Sequence, residues 1–117
     1  MLSTVIFSSI TYAGWTEITK GENSSSHYVD FERIRKHDGF VYFWSMSNYP
    51  TPIKGVSSEI NLRQGDCKLF RYKIIDGSFY NKPMLRGSPS KFAADSKWRY
   101  AQPNTIGESF LQSVCNR

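Results

Sequence analysis

The sequence predicts an α+β fold, an antiparallel β-sheet of about five to six strands with one C-terminal α-helix packed on it. Two observations point to the sheet. Short runs alternate apolar and polar residues from Trp15 to Tyr80, the period of half-buried strands. Gly-, Asp-Gly- and Pro-rich stretches separate many of them, as turns separate strands. A third observation gives the helix. Only the last dozen residues combine a cap signal with apolar residues at helical spacing.

WTEIT (15–19) reads as a first strand and KGENSSS (20–26) as a polar turn. HYVDF (27–31) is a second strand, with His27, Val29 and Phe31 on one face. ERIRKHDG (32–39) is polar, has room for one helical turn around Ile34, and ends in Asp38-Gly39, a strong turn signal. FVYFWSMSN (40–48) is the clearest strand. Phe40, Tyr42, Trp44 and Met46 share one face. Val41 and Phe43 open the other, which turns polar at Ser45 and Ser47. The first half is expected to be covered on both sides and the second on one. YPTP (49–52) should stop strand pairing, because proline cannot donate to a ladder.

VSSEINLR (56–63) sets Ser58, Ile60 and Leu62 against Ser57, Glu59, Asn61 and Arg63. CKLFRYKII (67–75) sets Phe70, Tyr72 and Ile74 against Leu69, Arg71 and Lys73. These two runs form either a hairpin or one long strand bent at Gly65. Asp76-Gly77 predicts a further turn, and SFY (78–80) a short strand. Residues 81–97 form the longest weakly patterned stretch, read as a functional or mobile loop. Trp98 and Tyr100 are expected to anchor the chain back onto the domain. In the final element Thr105 caps and Glu108 completes a capping box. Ile106, Phe110, Leu111, Val114 and Cys115 then fall on one face. A helix this short is marginal alone, so it must pack on the sheet.

The chain has 117 residues, 39% of them hydrophobic and 15% aromatic. Rings bury more area than aliphatic side chains, so one compact domain with a modest core is expected. Residues 1–13 are uncharged and largely apolar, with Thr11 and Ala13 placed for a cut before Gly14. They read as a secretory signal peptide, truncated or weak because no Lys or Arg precedes the apolar stretch. The alternative is a buried first strand. The segment is too short to span a bilayer. Residues 14–117 then form a single domain. The only cysteines are Cys67 and Cys115. In an oxidising compartment they would form one disulfide, and the alternative is two separate buried thiols.

Net charge is +5 and uneven. Residues 1–62 hold five Lys/Arg and six Asp/Glu, whereas 63–99 hold nine Lys/Arg and three acids. The basic excess therefore lies in one third of the chain. It permits contact with anionic partners such as glycans, lipid headgroups or acidic proteins, and a solvated basic face explains it equally. KLFRYK also resembles a nucleic-acid platform, but an exported chain does not meet intracellular nucleic acid. Core packing accounts for Phe70 and Tyr72.

Catalytic patterns are weak. His27 and His37, with Asp30, Glu32 and Asp38 nearby, have no second histidine at ligand spacing and read as surface histidines. There is no Gly-x-Ser-x-Gly elbow and no glycine-rich phosphate loop. No metal or cofactor is expected. The enzyme alternative is a small basic secreted nuclease, which would use His27 and His37.

The order of Trp15, Tyr28-x-Asp30, Asp-Gly before a Trp44 strand, Asp66-Cys67, Trp98, and Pro103 before a helix ending in Cys115 resembles the surface-adhesin protein E family. The resemblance covers residues 14–117. It implies an antiparallel sheet with a C-terminal helix tied to it through Cys67 and Cys115. It also implies a non-enzymatic bacterial envelope protein whose partners include host extracellular-matrix proteins. One departure matters: Gly14, not a cysteine, follows the leader, so an unlipidated periplasmic or secreted protein is expected. No ligand-binding segment of the family carries over residue by residue. The charge distribution instead nominates Arg71, Lys73, Lys82, Arg86 and Lys91 for an extracellular-matrix protein or anionic glycan. A periplasmic accessory protein with one dedicated partner is the remaining alternative.

Overall fold

The computed structural model describes residues 11–12, 14–91 and 97–117. The leader-like segment lies outside the described residues except for Thr11 and Tyr12. Residues 92–96 of the long polar stretch also lie outside them. In chain order the elements are β1 (Thr11–Tyr12), β2 (Trp15–Lys20), β3 (Ser26–Asp30), β4 (Arg35–His37), β5 (Phe40–Ile53), β6 (Val56–Asp66), β7 (Arg71–Lys82), β8 (Arg86–Lys91), β9 (Arg99–Tyr100) and α1 (Ile106–Cys115). All strand pairs are antiparallel, in the order β1-β2-β3-β5-β6-β7-β8. Beside them β4 pairs with β5 and β9 with β7.

The sheet thus has nine strands among the described residues, more than the five to six expected. The surplus is short. β1, β4 and β9 have two or three residues each. β3 and β4 lie along the same side of β5, interrupted by a 3-10 turn at Phe31–Arg33. Asp30 makes that break. Its carboxylate accepts from Glu32 N at 3.0 Å and pairs with Arg33 Nε at 2.7 Å.

Several expectations need correction. Asp76-Gly77 is no turn: both residues lie inside β7, opposite Leu62 and Asn61. Asp76 Oδ1 accepts from Gly77 N at 2.8 Å, so the Asp-Gly chemistry is spent within a strand beside a bulge. The hairpin alternative holds for β6 and β7, and the chain reverses at Cys67–Phe70, the first four residues of the run read as a strand. Pro50 and Pro52 do break the ladder. The register is lost after Asn48, yet pairing resumes at Ile53 and Val56 around a Lys54-Gly55 turn with φ of 52° and 81°, the primed geometry of tight hairpins. The stretch from 81 holds the end of β7, a 3-10 turn at Pro83–Leu85 and β8. Asn48 Oδ1 and Ser58 Oγ accept from Met84 N and Leu85 N, at 2.8 and 2.9 Å, and fasten that turn. Trp98 is half-buried as expected, but Tyr100 is 57% exposed, and its backbone pairs with Arg71.

The helix defines the two faces of the sheet. Phe110, Leu111 and Val114 bury against Val29, Val41 and Phe43. On the opposite face Trp15, Tyr28 and Met46 form a second cluster, joined by Trp44, Ile60, Met84 and Leu85. Ser45 and Ser47 were expected to face solvent, but both are buried under the helix side of the sheet. His27 and Arg63 roof them with polar contacts.

Gly65 explains how closely the helix sits. A Cβ there would lie 2.8 Å from Leu111 Cδ1 and 2.9 Å from Val41 Cγ1. The glycine sits within β6 because the helix needs its space. The cap is as expected at Thr105, whose Oγ1 accepts from Glu108 N at 3.2 Å. Glu108 reaches one residue further back than a standard capping box, to Asn104 N at 2.9 Å. At the other end Cys115 is bonded to Cys67, with Cα atoms 5.6 Å apart.

Two stability outcomes follow from this docking. Gly65→Ala should cost about 1–3 kcal/mol, the usual penalty for overpacking, readable as a lower urea midpoint at unchanged slope. The Cys67→Ser/Cys115→Ser double variant should lose roughly 4 kcal/mol, because the bridge closes a loop of 49 residues, counted inclusively. A loss below about 1 kcal/mol would mean that apolar packing alone holds the helix.

Candidate functional site

Two regions gather residues suited to binding. The first is basic. β7 turns Arg71 and Lys73 to the face away from the helix, in register with Asp66 and Gln64. Trp98 arrives just before β9 and stacks there. Its ring lies 4.2 Å from the Arg71 guanidinium carbon, 4.7 Å from Lys73 Nζ and 5.6 Å from the Phe40 ring. Such contacts hold cations while leaving their outer side available.

Arg71 has a second task. Its Nε donates to Asp66 Oδ2 at 2.9 Å, while Asp66 Oδ1 accepts from Lys68 N and Leu69 N. Burial alone would raise the Asp66 carboxyl, but the bonds from Arg71, Leu69 and Lys68 outweigh it and hold the group below its ordinary range. Asp66 thereby shapes the turn that carries Cys67.

The other nominated residues lie apart from this pair. Lys82 and Arg86 face each other across β7 and β8, both exposed. No carboxylate among the described residues pairs with either. Lys91 pairs with Asp76, and its bond leads the effects that hold that carboxyl low. The five residues therefore form one cation–aromatic pair, one like-charged hairpin tip and one neutralised lysine, and not a single cluster.

The second region is an open cleft of about 1370 Å³ on the helix side of the sheet. The turn after β2, the outer halves of β5 and β6, and the first turns of α1 enclose it. Arg63 lies at its base, 8% exposed. Its Nε donates to Ser45 Oγ at 2.8 Å. Its guanidinium carbon is 4.6 Å from the Phe110 centroid and 5.0 Å from that of Tyr72. Burial pulls the guanidinium below its ordinary range, and the Tyr72 hydroxyl and Glu59 favour its charged form.

His27 is buried beside it, which corrects the surface reading. Its Nδ1 lies 2.7 Å from Ser47 Oγ and its Nε2 2.9 Å from Ser25 Oγ. Phe110 packs edge-on at 5.9 Å. Burial, then the Arg63 charge, lower its pKa to about 4. At the mouth Tyr49 donates its hydroxyl to Glu59 Oε2 at 2.9 Å. Burial and Glu59 push that phenol up to about 12.

Sequence reasoning missed Arg63, Tyr49 and Glu59 as a group. Alternation put Arg63 and Glu59 on one face of β6, and that was the available signal. His37 does not join His27. His37 pairs with Phe40 and His27 with Ser47, seven positions along β5, or roughly 23 Å at ordinary strand rise. The two histidines that a nuclease would need are therefore far apart. Among the described residues no group of three or more His, Cys, Asp or Glu is arranged to hold a metal.

A sheet with one face closed by a disulfide-tethered terminal helix, and basic and aromatic side chains on the other, defines a class of small α+β domains. The chain belongs to the surface-adhesin protein E family, whose model matches residues 15–116. Its fold is similar to that of Haemophilus influenzae protein E. Crystal form II of that protein superposes with a TM-score of 0.70 at 19% identity, covering 92% of this chain and 91% of that one. A second structure of the same protein gives 0.68 at 19% identity, covering 92% and 87%. No curated protein matches the sequence. No helix among the described residues is long and apolar enough to cross a membrane.

The buried imidazole sets a pH response. Unfolded chains protonate His27 near pH 6.5, and the folded protein does so only near 4. The folded state thus binds fewer protons between these values, and stability falls as pH drops through that window. The expected loss by pH 4 approaches roughly 3 kcal/mol. Urea melts at stepped pH should show it in the parent protein, and should show a flatter profile in His27→Gln than in His37→Gln.

Proposed function

We propose that this chain is an exported, non-enzymatic binding domain of the bacterial envelope that uses its β7–β8 surface to bind anionic ligands, either extracellular-matrix proteins or glycans. Family membership supports an adhesin-like role. In this reading residues 1–13 are a signal peptide, and its removal takes the two-residue β1 with it.

The observation that carries the ligand class is the hairpin tip. Like charges placed directly opposite across a ladder oppose pairing. Lys82 and Arg86 nevertheless meet there without a carboxylate partner among the described residues. A surface that pays this cost is suited to an anion. Lys73, stacked on Trp98, extends the same charge along β7. Arg71 contributes charge but is held by Asp66, so it is a poor first target for mutation.

Heparin serves as the probe. Retention on immobilised heparin should fall steeply between 0.1 M and 1 M salt, as the screening length shrinks from about 10 to 3 Å. The Lys73→Glu/Lys82→Glu/Arg86→Glu protein should bind at least about tenfold more weakly, with its thermal midpoint nearly unchanged. Equal retention of the triple variant would remove the β7–β8 assignment. A single co-purifying protein bound independently of salt would favour a dedicated periplasmic partner.

A further inference from the structure

We propose that the cleft beside α1 is a second site, one that binds a small organic monocarboxylate with an apolar body, its carboxylate held by Arg63. The proposal concerns residues separate from the β7–β8 surface and does not depend on the adhesin reading.

Arg63 is the leading observation. It is more than nine-tenths buried and lines the cleft. Its polar neighbours are the hydroxyls of Ser45 and Tyr72. No carboxylate among the described residues forms an ion pair with it. A guanidinium has five N–H donors, so two hydroxyls leave donors open. A buried cation without a counter-ion is costly, and its planar array of donors fits a carboxylate in bidentate fashion.

The cleft walls restrict the rest of the ligand. Tyr72 and Phe110 flank the guanidinium. Tyr49, Pro50, Pro52 and Ile53 form a wall on the hairpin side, where Ile53 is 54% exposed. An apolar body would bury this surface. The rim restricts charge. Glu22, Glu59 and Glu108 line the cleft with only Lys20 and Arg63 opposing them. A polyanion would be repelled, whereas a single carboxylate can reach Arg63. Glu59 favours the charged guanidinium from a distance but forms no ion pair with it, and its Oε2 accepts from Tyr49, while Glu108 accepts from Asn104 N, so the guanidinium has no carboxylate in contact.

The test uses benzoate and its neutral isostere benzamide, titrated at neutral pH into the full folded chain while backbone amide resonances are followed. Benzoate should give saturable shifts grouped at Ser47, Tyr49 and the first two turns of α1. Benzamide should bind at least about tenfold more weakly, as expected when a charged hydrogen bond is lost. Arg63→Gln should weaken benzoate by a similar factor, and Thr51→Glu, an exposed rim change that leaves Arg63 in place, should weaken it as well. The Lys82→Glu/Arg86→Glu protein should bind benzoate normally. If Arg63→Gln does not fold, the benzoate–benzamide comparison and Thr51→Glu decide the matter. Absence of saturable shifts, equal binding of both probes, or shifts confined to residues 73–91 would overturn the proposal.

Discussion

The docking of one helix on one face of the sheet organises this molecule. Phe110, Leu111 and Val114 fill the space above Val29, Val41 and Phe43. That close approach requires the absence of a side chain at Gly65. The same helix places Phe110 against both His27 and Arg63. The polar floor of the cleft therefore exists because the apolar packing beside it is tight. With Phe110 withdrawn, His27 would be reopened to water and its depressed pKa would lose its main cause.

The opposite face obeys a different constraint. Among the described residues its apolar cluster around Trp15, Tyr28 and Met46 has no second helix above it, and Met84 and Leu85 of the 3-10 turn at Pro83–Leu85 pack on it. Further along, Trp98 covers Phe40 while carrying two cations on its ring. A single aromatic residue thus both shields an apolar edge and presents charge. Of the two cations, Arg71 is also paired with Asp66, and Lys73 keeps its charge outward.

Much of the fold was legible because it was written locally. The cap at Thr105, the spacing of Phe110, Leu111 and Val114, and the terminal cysteine lie within a dozen residues of one another. So do the alternation of Phe40–Met46 and the Asp38-Gly39 turn. What the sequence hid depended on distant partners. Gly65 looked like an interruption because its reason, Leu111, lies far along the chain. Asp76-Gly77 looked like a turn because nothing local reveals the pairing with Leu62 and Asn61. His27 looked like a surface group because its burial comes from distant residues, Phe110 of the helix and Ser47 of β5. The nominated basic residues were all found on or beside β7 and β8, but a count of charges could not show that Asp66 and Asp76 had already claimed two of them.

The bond between Cys67 and Cys115 also sets a path for mechanical force. Cys67 follows β6 and precedes β7, within the hairpin that contributes two of the inner strands. A pull on the chain at Cys115 is therefore delivered to the β6–β7 turn and not to the helix. The helix is shielded from tension at its C-terminal end, because the bond bypasses the chain between the two cysteines. Under traction the covalent link would delay peeling of the helix, whereas loss of that link would let the helix detach first.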